Sequence, residues 1–235
     1  MTAATSLPDP VALRGVGLYH IYRDHQVETV ALRGTDITIP AGSWVSVVGP
    51  SGSGKSTLLG VLSGSVTPSA GMVLLAGEDI GRLDEDRRAQ LRRGALGVML
   101  QRDNLHPLLT VRENVALPLE LAGKPAGSAV EELIARVGLA DQARRRPHQL
   151  SGGQAQRAAV AVALATQPRV LLADEPTGEL DEATSEEILD LLDELRRTTG
   201  IAIVTVTHNP AVSARATIAL QMTDGLLSEV IHHDR

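Results

Sequence analysis

Gly49-Pro50-Ser51-Gly52-Ser53-Gly54-Lys55-Ser56-Thr57 lies between an apolar, strand-like run, Trp44 to Val48, and a helix-like run, Lys55 to Ser63. That context decides the fold. A glycine-rich turn that leaves a buried strand and opens a helix is a P-loop. Its small residues let backbone N–H groups curl around a phosphate, the helix start adds its positive end, the lysine reaches further phosphate oxygens, and the next hydroxyl can meet a metal ion. Here Gly49, Pro50, Ser51, Gly52, Ser53 and Gly54 form the cradle, Lys55 is the cation, Ser56 the hydroxyl, and Thr57 closes the motif. A chance match in a chain of this composition has a probability of about one in a hundred, so a plain glycine-rich turn is set aside.

Working outward, further apolar or β-branched runs recur at Met72 to Leu75, Gly97 to Leu100, Val170 to Ala173, Ile201 to Val206 and Thr217 to Met222. Gly, Pro or Asp bounds them, as for buried strands. Between several of them lie helical patterns at Glu85 to Arg92, Ala129 to Val137, Gln154 to Thr166 and Thr184 to Thr199. Strands alternating with helices predict an α/β fold with a largely parallel sheet. The stretch from about Asp103 to Pro168 is poor in strand signals and reads as a helical subdomain inserted into the sheet domain. The N-terminal part alternates, with turns expected at Arg33-Gly34 and Ala41-Gly42, and predicts an antiparallel sheet beside the core. Residues 1–10 read as a flexible tail.

A phosphate cradle needs an acidic partner for a metal. Val170-Leu171-Leu172-Ala173-Asp174-Glu175 delivers two carboxylates at the end of a strand-like run, the Walker B pattern. Asp174 would hold Mg2+ directly or through water. Glu175 would polarise the attacking water as general base, a role worth about 10² to 10⁴ in rate. By itself an apolar run ending in Asp-Glu is more often a strand entering a turn; beside a P-loop the functional reading prevails.

Composition bounds the alternatives. The chain has 235 residues and a net charge of -6, with a pI near 5.6, which argues against nucleic-acid binding because phosphate neutralisation needs concentrated positive surface. The runs Arg92-Arg93 and Arg144 to Arg146 read as solvated faces or contacts to an acidic partner. Cysteine is absent, so there are no disulfides, thiolate metal sites or cysteine nucleophile, in keeping with a cytosolic setting. The apolar stretch Ala158 to Ala173 is interrupted at Thr166, Gln167, Pro168 and Arg169, and nothing reaches the length of a bilayer span. Aromatic residues make up 1% of the chain and Phe is missing, so Leu, Val, Ile and Ala must fill the core.

Leu150-Ser151-Gly152-Gly153-Gln154 sits upstream of the acidic strand end. In isolation it is a flexible helix start, but in this order between P-loop and Walker B it resembles the signature of ABC (ATP-binding cassette) ATPases. The resemblance covers nearly the whole chain. It is nearest to the lipoprotein-releasing, macrolide-export and cell-division subgroup, on the P-loop, on Glu113-Asn114-Val115 followed by Pro118-Leu119, and on Ala173-Asp174-Glu175-Pro176-Thr177-Gly178. It implies a RecA-like P-loop NTPase core, about 11–102 and 168–235, an N-terminal antiparallel β-subdomain and a helical subdomain over about 103–167. It also implies ATP and Mg2+ as ligands, a homodimer formed on ATP binding, and integral membrane permease subunits as partners. The protein would sit peripherally on the cytoplasmic face of the membrane.

The resemblance carries further roles residue by residue. Tyr22 falls where relatives stack an aromatic on adenine, Tyr19 fitting the spacing less well. Gln101 matches the glutamine that touches Mg2+ or water, and His208 the histidine that meets the γ-phosphate. Ser151, Gly152 and Gly153, flanked by Leu150 and Gln154, would hold the γ-phosphate bound to Lys55 of the other subunit, and Asp181 matches the loop that crosses the dimer interface. Glu179, Leu100 and Val162 depart from the pattern, standing where relatives keep a small or amide residue, Phe and Arg. Other readings share these motifs or parts of them: an ATPase driving a non-transporting regulator of cell-wall enzymes, a soluble cassette protein acting on DNA or the ribosome, and a P-loop kinase or GTPase. The signature and the Asp174-Glu175 pair speak against the last. Tandem cassettes, coiled coils and zinc modules, expected of the soluble class, do not fit in this chain.

Overall fold

A computed structural model describes residues 11–24 and 27–232; the tail expected over residues 1–10 lies outside them. The elements in order are β1 (Val11–Asp24), β2 (Val27–Pro40), β3 (Trp44–Val48), α1 (Lys55–Leu62), β4 (Ala70–Leu75), β5 (Glu78–Asp79), α2 (Glu85–Ala95), β6 (Leu96–Met99), α3 (Val111–Leu121), α4 (Gly127–Arg136), α5 (Gly152–Leu164), β7 (Val170–Asp174), α6 (Glu182–Thr199), β8 (Ala202–Thr207), α7 (Pro210–Arg215), β9 (Ile218–Thr223) and β10 (Leu226–His232).

They build two sheets. The larger has the order β10-β9-β3-β8-β7-β6, parallel from β9 to β6 and antiparallel only at the β9–β10 hairpin. The smaller, β2-β1-β4-β5, is antiparallel throughout. Strands β7 and β8 are near-continuous apolar runs because both their faces are covered. Alternate side chains divide between two cores: Trp44, Leu171, Ala173 and Ile203 pack with helices α3 to α6, while Val45, Val47, Leu172, Val204 and Val206 pack with α1 and the smaller sheet. Trp44 is fully buried, and its indole N–H donates to the Thr205 hydroxyl at 3.2 Å.

The reversal expected at Arg33-Gly34 does not occur. Gly34 lies inside β2 at φ +85°, where the register against β1 slips between Leu18↔Thr35 and Tyr19↔Arg33. A Cβ at Gly34 would stand 2.9 Å from the Tyr19 hydroxyl, so this glycine marks a bulge roofed by an aromatic ring rather than a hairpin turn. Strands β1 and β2 pair antiparallel past it, out to Asp24↔Val27. The expected turn at Ala41-Gly42 is present.

The helical patterns of the sequence leave out α3, which carries Glu113-Asn114-Val115. Thr110 caps it in a reciprocal box with Glu113. Hydrogen bonds from Thr110 hold the Glu113 carboxyl below its ordinary range. Asn114 is buried, accepts from the His106 N–H at 2.7 Å and donates to the carbonyls of His106, Leu109 and Thr110. One amide thereby organises the loop that follows Gln101. Nearer that glutamine, the Asn104 side chain accepts from the Leu100 N–H at 2.7 Å and donates to the Leu100 carbonyl at 2.6 Å. No helix among the described residues is long and apolar enough to cross a membrane.

Candidate functional site

In an open parallel sheet the strand C-terminal ends converge on one edge, where ligands bind. Four strands end there with a residue named above: β3 runs into the P-loop, β6 towards Gln101, β7 into Asp174-Glu175, and β8 into Thr207-His208. They line a cleft of about 850 Å³ together with Tyr22, Thr29, Val30, Ala31, Arg33, Asp224 and Gly225. That volume lies within the range of small-molecule sites, roughly 300 to 1,000 Å³.

Helix α1 starts at Gly54, which has φ +105° and offers no side-chain cap. The first N–H groups of the helix are therefore available to an anion. Glycine is required at that point on two counts. The backbone is left-handed, and a Cβ would lie 2.4 Å from the Ala31 carbonyl. Lys55 donates to the carbonyls of Gly49 and Pro50 at 2.7 and 2.9 Å, which fixes its ammonium over the loop. Ser51, Gly52, Ser56 and Thr57 face the cleft; Ser53 is buried beneath it.

Glu175 is held by three donors. Its backbone sits at φ +45°, with its N–H donating to the Val206 carbonyl at 2.9 Å. One carboxylate oxygen accepts from the Thr207 hydroxyl at 2.7 Å. The other accepts from the His208 N–H at 3.0 Å and pairs with the His208 ring Nδ1 at 2.6 Å. A carboxylate offers about four lone-pair positions, so this arrangement leaves one for a water. The Glu175 side chain is 10% exposed and that of His208 74%: the carboxylate is fixed in the wall, the imidazole reaches into the cleft. Burial pushes the neighbouring Asp174 carboxyl above its ordinary range, and the Glu175 charge adds to this; a Ser56 hydrogen bond and the Lys55 charge oppose it. Ser56 and Asp174 are hard oxygen donors lining the same cleft, a set that suits Mg2+, which binds through one or two carboxylates plus phosphate oxygens and waters.

Tyr22 stands at the other end of the cleft. Its hydroxyl is 3.3 Å from the Thr57 hydroxyl, and the His20 ring meets it edge-on with centroids 4.5 Å apart. Tyr19 is occupied against Gly34 and does not line the cleft.

The structure thus brings Tyr22, the P-loop, Gln101, Asp174, Glu175 and His208 together. Residues 150–154 and Asp181 are not among the cleft's lining residues. Ser151 caps α5 in a reciprocal box with Gln154, and Leu150 packs against the core. Asp181 caps α6, accepting from the Thr184 N–H at 3.0 Å and hydroxyl at 2.7 Å. Those bonds lower its carboxyl pKa, the hydroxyl's first. Gly153 lets the two helix starts touch, since a Cβ there would be 2.5 Å from the Thr184 methyl. Sequence reasoning passed over Thr207, whose only signal was its place between strand and histidine, and also Arg33 and the Asp224-Gly225 turn, which carried none. Of the three departures, Glu179 accepts from Arg102 at 2.7 Å, Leu100 lies exposed beyond β6, and Val162 packs against the helical core. On the same helix, the Gln156 amide donates to the Pro176 carbonyl.

A family model described as ABC transporter matches residues 32–178. The chain belongs to the ABC transporter ATP-binding family. Within it, this cassette is 48% identical over 202 residues to the lipoprotein-releasing system ATP-binding protein LolD of Paramagnetospirillum magneticum, covering 85% of this chain and 89% of that one. It is 42% identical over 214 residues to the macrolide export ATP-binding/permease protein MacB of Rhodopseudomonas palustris, which covers 90% of this chain but 33% of that longer protein. It therefore falls with the lipoprotein-releasing and macrolide-export subgroup. Among solved structures, the dimeric ABC transporter cassette MJ0796 matches with a TM-score of 0.85 and 35% identity, over 94% of this chain and 100% of that one. A dimeric post-hydrolysis state of MJ0796 bound to ADP and Pi matches with a TM-score of 0.86, also at 35% identity.

Proposed function

We propose that this cassette is the Mg-dependent ATPase subunit of a transporter that exports or extracts a lipid-linked or amphipathic substrate through separate membrane permease subunits. It works as a homodimer that closes on ATP at the cytoplasmic face of the membrane. The observation that carries the catalytic reading is the Glu175 carboxylate, fixed by Thr207 and His208 in the cleft that Ser56 and Asp174 also line. The substrate class rests on the likeness to LolD and MacB. We assign the sheet core to about 11–102 and 168–235 and the helical subdomain to about 103–167.

Tyr22 would stack on the adenine, the P-loop amides and Lys55 would bind the phosphates, and Ser56 and Asp174, with Gln101, would hold Mg2+. The metal supplies neutralisation of phosphate charge when bound. Glu175 takes a proton from the attacking water, and its clamp keeps the accepting oxygen in one place. His208, at the mouth of the same hydrogen-bond network, and Lys55 stabilise charge developing on the γ-phosphoryl oxygens. Ser151 and Gly152 are exposed and stand apart from the cleft. A second copy can therefore present the signature, with Asp181 beside it, to the nucleotide bound by the first.

Replacing Glu175 with Gln tests the assignment. The amide keeps the side chain's size but cannot take the proton, so turnover is expected to fall by about 10² to 10⁴, with ATP binding retained and a nucleotide-bound dimer detected by light scattering. Undiminished turnover would remove Glu175 from the base role.

A further inference from the structure

The two ends of the nucleotide cleft stand on different sheets. Tyr22 belongs to β1 of the smaller sheet, whereas the P-loop follows β3 of the larger. A ligand that touches both ends needs the sheets held at a fixed spacing, and the hairpin turn between β9 and β10 contacts each of them. The Gly225 N–H donates to the Ser53 carbonyl inside the P-loop at 3.0 Å. Its carbonyl accepts from two groups on β2: the Arg33 N–H at 3.0 Å and the buried Thr35 hydroxyl at 2.7 Å. Strand β2 in turn carries β1, with Thr29 opposite Tyr22.

Packing repeats the connection. A Cβ on Gly225, which has φ +76°, would lie 2.7 Å from the Ala31 carbonyl of β2, and one on the P-loop's Gly54 would lie 2.4 Å from the same oxygen. The Ala31 carbonyl is gripped between a P-loop glycine and a turn glycine. A third contact lies one residue before the turn's strand end: a Cβ on Gly49 would stand 2.2 Å from the Met222 carbonyl of β9.

We propose that the Asp224-Gly225 turn is a positioning element that sets the span between the adenine face at Tyr22 and the phosphate cradle. Disturbing it weakens ligands that bridge both ends and spares those that fill the phosphate end alone. This inference rests on the reading of the cleft as a MgATP site.

The test is Gly225→Ala in the full chain, read as KM for MgATP and as Ki for Mg-tripolyphosphate acting as a competitive inhibitor of ATP hydrolysis. The control is Gly77→Ala. Gly77 occupies a matching two-residue hairpin, with Ala76 at φ +52° and itself at φ +84°, just as Asp224 and Gly225 have φ +47° and +76°. An added Cβ at Gly77 meets nothing within 4 Å, so it reproduces the left-handed strain without the contact. Gly225→Ala is expected to raise KM for ATP by about tenfold or more while kcat and the tripolyphosphate Ki stay within about threefold, and Gly77→Ala to change none of them. If Gly225→Ala does not fold, Thr35→Val removes one donor to the Gly225 carbonyl at nearly constant shape. It should raise KM about two- to fivefold with the same selectivity. Equal weakening of ATP and tripolyphosphate, or a KM no different from that of Gly77→Ala, overturns the proposal. A wild-type protein that neither hydrolyses ATP nor responds to tripolyphosphate overturns the reading of the cleft instead.

Discussion

Gly153→Ala would drive a methyl group into the contact between the starts of α5 and α6. The new Cβ would meet the Thr184 methyl at 2.5 Å, about 1 Å or more short of the roughly 3.5 to 4.0 Å at which carbon atoms rest. Thr184 cannot turn away cheaply, because its hydroxyl is bonded to Asp181 at 2.7 Å. Overpacking of this kind costs about 1 to 3 kcal/mol, and the helix preference for Ala over Gly returns up to about 1 kcal/mol, so a mid-range cost of about 2 kcal/mol leaves a net loss of about 1 to 2 kcal/mol. In a domain of this size that lowers Tm by about 2 to 8 °C. Thr184→Ser keeps the hydroxyl and removes only the offending methyl, so the double variant should recover the loss. Equilibrium urea unfolding of the wild type, the two single variants and the double variant yields the coupling, expected at about 1 to 3 kcal/mol. A coupling below about 0.5 kcal/mol, or a double variant no more stable than Gly153→Ala, would refute the reasoning.

Tyr22→Ala should raise the KM for ATP by about 5- to 150-fold, the equivalent of a lost stacking contribution of about 1 to 3 kcal/mol, whereas Tyr22→Trp should keep the wild-type value; equal loss in both, measured by steady-state kinetics, would take Tyr22 out of the base site. For Glu113, hydrogen bonds from Thr110 lower the folded-state pKa below the ordinary 4.5. The ionised carboxylate therefore contributes stability that is fully present above that value and is lost as pH falls through the lowered one. Thermal melts across pH should show Glu113→Gln less stable than wild type at pH 7, with the difference shrinking below about pH 4.5; a gap that widens on acidification would contradict the assignment.

Much of this cassette is encoded in contiguous stretches, and those were readable in the chain. The strand runs at Trp44 to Val48 and Val170 to Ala173, the P-loop between strand and helix, and the carboxylates after the acidic strand all depend on neighbours within a few residues. Apolar periodicity and glycine spacing record them directly. Gly34 shows where such reading fails: glycine permits a turn and a bulge equally, and the pairing partner, with Tyr19 over the glycine, decides between them. Helix α3 differs: its start is spelled locally by the Thr110–Glu113 capping box, but Pro118 lies inside it, and a proline in a helical pattern ordinarily marks its end.

By itself, then, the sequence determined the α/β fold class, the phosphate cradle, the acidic strand end and the signature, because each is set by local spacing of residue types. Only the tertiary structure decided which of these share a cleft. It gathered Tyr22, Gln101, Glu175 and His208 there, left the Ser151 turn outside, clamped Glu175 with Thr207, and tied the P-loop to β2 through Gly225. Such contacts join residues as far apart as Thr35 and Gly225, 190 positions along the chain, and hydrogen bonds at that separation exist only once the strands have taken their order in the sheets.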